Sequence, residues 1–162
     1  MENKQVNPKG ILKTLSIIHA AMTFGLFAIG FLYYTSRDEW ISDFSDVGYL
    51  FPYGVPAVMS IGIIVGRMVF NHHLKSTKVM DGLGSKLGSY MTASLVKYAF
   101  LEGPGILAFI AAEATGNMAY LIFGGLMVLM MILERPYRQK VEVDLDLNRE
   151  LKMEFDKAMQ DS

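Results

Sequence analysis

Cysteine is absent from the 162-residue chain, which excludes disulfides, thiolate metal sites and cysteine nucleophiles. Also missing are a glycine-rich phosphate loop, a nucleophile set beside a base, and paired carboxylates at a recognisable catalytic spacing. No enzyme, cofactor or metal centre is therefore expected. Basic residues are not in excess: the formal net charge is -1, and without a basic face no nucleic-acid partner is expected. Charge is scarce altogether, at 19% of residues against 52% hydrophobic, and tryptophan occurs once, as Trp40.

What the chain does have is long apolar blocks. Its charged residues gather between these blocks instead of alternating with them, which marks membrane insertion and not a soluble amphipathic fold. The pattern predicts an all-α membrane protein, a bundle of four transmembrane helices at about 11–35, 49–70, 86–115 and 118–134. Residues 1–136 form the membrane domain and 137–162 a tail. The first block, Leu15 to Tyr34, is too long for the apolar region of a cleavable signal and long enough to span, so helix one is expected to stay as an anchor. Lys and Arg concentrate in the amino-terminal arm, in the loop 71–86 and at Arg135, Arg138 and Lys140. The positive-inside rule then places both termini in the cytoplasm of a bacterial cytoplasmic membrane.

One stretch, Leu95 to Phe109, breaks the apolar pattern from within, because it carries Lys97, Glu102 and Gly103-Pro104-Gly105. Pro104 lacks an amide hydrogen and crowds the carbonyl of Phe100, which predicts a kink and a freed acceptor beside the carboxyl. Rise per residue puts Glu102 about 16 Å below the outer helix end, near the midplane of the bilayer. His19, Arg67, Lys97 and Glu134 fall roughly 24 Å down, close to the cytoplasmic boundary. Arg67 and Lys97 can snorkel to water from there and need no function, and Glu134 reads as a helix end. Glu102 has no such escape and is the leading site candidate. Tyr98, one turn earlier on the same face, is positioned to donate a hydrogen bond to it, and His19 or Arg67 are its partners from other helices. Two roles follow. Either the carboxyl hydrogen-bonds across helices and pins their packing, or it loads and unloads a proton or cation.

Smaller signals complete the reading. Gly62 and Gly66 form a small-xxx-small pair suited to close helix contact. Ser36 to Gly48 suggests a short amphipathic helix in the outer interface with Trp40 and Phe44 toward lipid. Val141, Val143, Leu145 and Leu147 alternate with acids, an extended pattern, after which Asn148 is placed to cap a helix whose Leu151, Phe155 and Met159 share a face. His72-His73 reads as a solvated loop, His19 as a packed histidine, Glu113 as a solvated outer residue, and Met127, Met130 and Met131 as packing or lipid-facing residues.

Tyr49-Leu50 through Gly54, Met59, Ile61 and Arg67 aligns with Tyr120-Leu121 through Gly125, Met130, Ile132 and Arg138, which suggests two duplicated hairpins. With a carboxyl inside the membrane, that layout resembles the proteolipid subunits of rotary ATPases. The resemblance covers the four helices and touches only Glu102 as a residue. Those subunits carry the acid on the second helix of a hairpin and a dense glycine repeat on the other, and this chain does neither. Lys-Tyr-Ala-Phe-Leu-Glu-Gly-Pro-Gly and Glu-Arg-Pro-Tyr-Arg before an acidic tail are similar to small four-helix bacterial membrane proteins of unknown function. The expected function is non-enzymatic: a packing or accessory subunit in the lipid bilayer, forming a homo-oligomer or joining other membrane subunits. The alternative is a proton- or cation-coupled translocator that uses Glu102.

Overall fold

A computed structural model describes residues 7–43 and 50–160. It is helical nearly throughout: α1 (Pro8–Thr35), α2 (Leu50–Thr77), α3 (Leu83–Thr115), α4 (Met118–Leu133), α5 (Arg138–Asp144) and α6 (Arg149–Gln160). Three of these, α1, α2 from Phe51, and α3, are long and apolar enough to cross a membrane. Helix α4 has 16 residues and reaches that standard only together with α5, which bends away from it by 82°.

The element ends follow from local chemistry. Helix α1 begins three residues earlier than expected because Pro8 occupies its first turn and the Asn7 side chain accepts from the Gly10 amide at 3.0 Å. Helix α2 runs almost two turns past Phe70, so His72, His73 and Lys75 stand on a helix and not in a loop. Nothing in 71–77 breaks a helix, and the edge of an apolar block marks the end of lipid, not of hydrogen bonding. Helix α3 starts at Leu83, and its Lys86 ammonium closes the end of α2 by donating to the carbonyls of Thr77 at 2.7 Å and Lys78 at 3.2 Å.

Helix α3 is the axis of the fold. It packs against α2, α4 and α1, and α1 also touches α4, whereas α1 and α2 hardly meet. Helix α3 remains helical through Gly103-Pro104-Gly105 without interruption. Gly62 of α2 covers the site: a Cβ there would stand 2.7 Å from the Phe100 carbonyl oxygen and 2.6 Å from the Pro104 ring. The acceptor that proline leaves without an amide therefore lies against the neighbouring helix. One turn on, a Cβ at Gly66 would stand 2.8 Å from Phe100 Cβ. On the other side of α3, Phe109 is clamped between Gly30 of α1 and Gly124 of α4, where added Cβ atoms would meet its ring at 2.4 and 2.2 Å.

At the end of the bundle away from the chain termini, the α1–α2 connection is pinned to the α3–α4 turn. Ile41 pairs with Asn117 as an isolated bridge, with Ile41 donating to Gly116 at 2.8 Å and Met118 donating to Ile41 at 2.9 Å. Ser36 caps the end of α1 and Trp40 is half-buried against the core. Residues 36–43 therefore form no interfacial helix with Trp40 facing lipid, because the turn at Gly116, with φ +69, offers them backbone partners instead. Phe44 lies outside the described residues. Glu113 is open to solvent, as expected, and also accepts from Ser36 at 2.9 Å and pairs with Arg37 at 3.7 Å.

The tail overturns the extended reading of 141–147. Val141 and Leu145, four apart, are fully buried while Val143 is exposed, so the helical spacing hidden in the alternation is the one that packs. Arg138 pairs with Glu142 at 2.9 Å along α5 and reaches Asp156 of α6, and Lys152 of α6 returns to Glu142 at 3.2 Å. Asn148 accepts from the Leu151 amide at 2.9 Å and starts α6, whose Phe155 is buried in the core with Leu151 and Met159 beside it. Replacing Phe155 by alanine is expected to cost about 3–5 kcal/mol. In the full chain this should appear as faster proteolysis after Asn148 with the membrane helices still protected; an unchanged cleavage rate would contradict the docking.

Candidate functional site

Polar side chains from four helices meet at the end of the bundle that carries the chain termini. The Glu134 amide closes the last turn of α4 on the carbonyls of Met130 and Met131, both at 3.1 Å, and α1 and α3 supply further donors to this end. His19 Nε2 donates to the Met131 carbonyl at 2.7 Å, which puts its proton on Nε2, and the Tyr98 hydroxyl donates to the Glu134 carbonyl at 3.3 Å. The two rings meet edge to face at 4.9 Å. Ser16 donates to the Pro136 carbonyl at 3.5 Å.

Beside these caps is an ion cluster. Lys97 Nζ stands 2.5 Å from Glu134 Oε2, and Lys140 donates to the same oxygen. The side chains of Lys97 and Glu134 are only 10% and 16% exposed, so the pair is held largely away from water. The Lys97 ammonium also lies 4.4 Å from the centroid of Phe70. Asp144 of α5 accepts from the buried Tyr90 hydroxyl at 3.2 Å, and burial pushes its carboxyl above the usual aspartate range, against the lowering effect of that hydrogen bond. Such a cluster ties α3 to the end of α4 and to the tail.

The sequence-predicted site residues divide between this cluster and the bundle surface. His19, Tyr98 and Lys97 enter the cluster. Arg67 is exposed and lines a narrow crevice with Gly66, Lys97, Leu101 and Glu134. Glu102 joins none of them: it is half-buried, and no described residue forms a hydrogen bond or ion pair with its carboxyl. Tyr98 bonds to the Glu134 carbonyl instead of to Glu102, because the end of α4 lies beside it. Around Glu102, the outward face of α3 carries exposed Ala99, Gly103 and Ile110, and a Cβ at Gly103 would meet nothing within 4 Å.

Sequence reasoning treated Lys97 and Glu134 as separate snorkelling and terminal residues and so missed the pair. The signal was present, since both fall at the same depth. Met127 and Met131 are fully buried packing residues. Among the described residues, no group of three or more His, Asp or Glu could hold a metal ion. Compared with family models, curated proteins and solved structures, the chain matches none.

Proposed function

We propose that the chain is a four-span protein of the bacterial cytoplasmic membrane, with both termini in the cytoplasm, that serves as a non-enzymatic packing subunit of a membrane assembly. The observation that carries this reading is Glu102. A carboxyl within the hydrocarbon layer is costly unless another group satisfies it. Its own chain offers it nothing among the described residues, while small residues flank it on an outward helix face. A neighbouring subunit, a second copy or another membrane chain, supplies the missing partner. Small residues let that helix approach closely enough for the hydrogen bond to form.

Glutamine keeps the size and hydrogen-bonding capacity of Glu102, whereas leucine keeps only bulk. Glu102→Gln is expected to leave assembly largely intact and Glu102→Leu to disperse it, read by native mass spectrometry of the protein purified in mild detergent. Equal assembly in both variants would remove the basis of the proposal. The rival reading, a proton- or cation-coupled translocator, uses the same carboxyl but needs a polar path to a surface. Between the ion cluster and Glu102 the last hydrogen-bonded side chain on α3 is Tyr98, one turn short of the carboxyl, and no described residue bridges that gap, which supports packing over transport. Carbodiimide labelling of Glu102 that rises as pH falls would favour the translocator.

A further inference from the structure

Two cavities lie in line along the seam between α1 and α4, on a different flank from the outward face of α3. The one nearer the chain termini, about 500 Å³, is bounded by Ser16, Phe24 and Arg135, and the other, about 400 Å³, by Phe31, Leu121 and Gly125. They share Phe27, Val128 and Ile132, so they form one groove with a waist. The seam is open because α1 presents Phe24, Phe27 and Phe31 outward while α4 thins to Gly124 and Gly125. In a bilayer a groove with these walls takes hydrocarbon.

The mouth of the groove determines which hydrocarbon. Arg135 is exposed, and its guanidinium has no acid partner among the described residues, since the adjacent Glu134 is already held by Lys97 and Lys140. Lys13 is exposed one turn before Ser16, on the face of α1 that continues through Ala20 and Phe24. No carboxylate lines either cavity. Two cations over an apolar slot fit an amphiphile with an anionic head and a hydrocarbon tail. Length agrees as well: ten residues of helical rise from Arg135 reach Gly125, roughly 15 Å, which is half of a hydrocarbon core about 30 Å thick. We infer that the α1–α4 groove is a binding site for an anionic phospholipid, with the phosphate at Arg135 and Lys13 and one acyl chain running past Phe27 to Gly125.

The test uses the full chain in mild detergent, with phosphatidylglycerol and phosphatidylcholine of identical acyl chains added separately and retention read by native mass spectrometry. Phosphatidylglycerol is expected to be retained about tenfold more strongly, since each cation near a lipid surface contributes on the order of one kcal/mol. Lys13→Gln with Arg135→Gln should abolish the preference and leave the fold intact, since neither side chain is buried. Gly125→Leu places its side chain where a Cβ meets nothing within 4 Å, and it should weaken retention of both lipids. Equal retention of the two lipids by the unaltered chain, or an undiminished preference in the double glutamine variant, would overturn the inference. So would equal thermal stabilisation by glycerol phosphate alone, which would make the mouth a free phosphate site. The cysteine-free chain allows one more check: efficient disulfide formation between Gly125→Cys copies would assign the groove to a second protein copy.

Discussion

Replacing Glu134 by leucine is expected to destabilise the protein by about 3–5 kcal/mol, the cost of stranding a buried charge. The carboxylate stands between Lys97 and Lys140, so its loss leaves two ammonium groups facing one another with the nearer one over the Phe70 ring. Lys97→Met alone is expected to be milder, because Glu134 keeps Lys140. The double variant, Glu134→Leu with Lys97→Met, should recover much of the loss, because apolar groups of similar volume replace a buried pair at little net cost. Thermal unfolding of all three against the unaltered protein gives the coupling energy directly. If the single and double variants lose stability additively, the pair contributes no more than its separate side chains, and the cluster does not hold α3 to α4.

Gly62→Ala is the second large effect. The new methyl would stand 2.7 Å from the carbonyl oxygen of Phe100 and 2.6 Å from the ring of Pro104. Backbone and proline ring yield less readily than a flexible side chain, so an overpacking loss of about 1–3 kcal/mol is expected. Gly103→Ala, one residue before the same proline, is the matched comparison, because a Cβ there meets nothing within 4 Å. It should leave the isolated subunit unchanged or stabilise it by about 0.5–1 kcal/mol through the lower entropy of the unfolded chain. The proposed assembly adds a further expectation. Gly103→Leu should keep the monomer folded yet block the neighbouring helix beside Glu102, so stability and assembly should separate at this position. If Gly62→Ala unfolds no more easily than Gly103→Ala, the close approach of α2 and α3 is not a source of stability.

Much of the helical layout was legible because apolar block length reports it directly. Asn148 as a cap and the Leu151, Phe155, Met159 face could also be read, since both depend on residues within a few positions of one another. Long-range partners could not be read in this way. The tail from Val141 to Leu147 satisfies both a period of two and a four-residue spacing, and only packing of Val141 and Leu145 into the core chooses between them. Tyr98 shares a face with Glu102, but the nearest unsatisfied acceptor belongs to α4, which no count along α3 reveals. Pro104 marks a freed carbonyl in the sequence, but that Gly62 on a distant stretch covers it could not be read from the residues around it.

That α1 and α2 hardly touch, while each lies against α3, bears on how the protein is made. A ribosome delivers α1 and α2 first, and neither has a helix to rest on until the third emerges. In the proposed membrane topology the first two helices have no packing partner until then, and the strap at Ile41 can close only when the turn at Gly116 has been synthesised. Biogenesis of this chain hinges on its middle, and a ribosome stalled before residue 83 would leave two unattached helices instead of half a bundle.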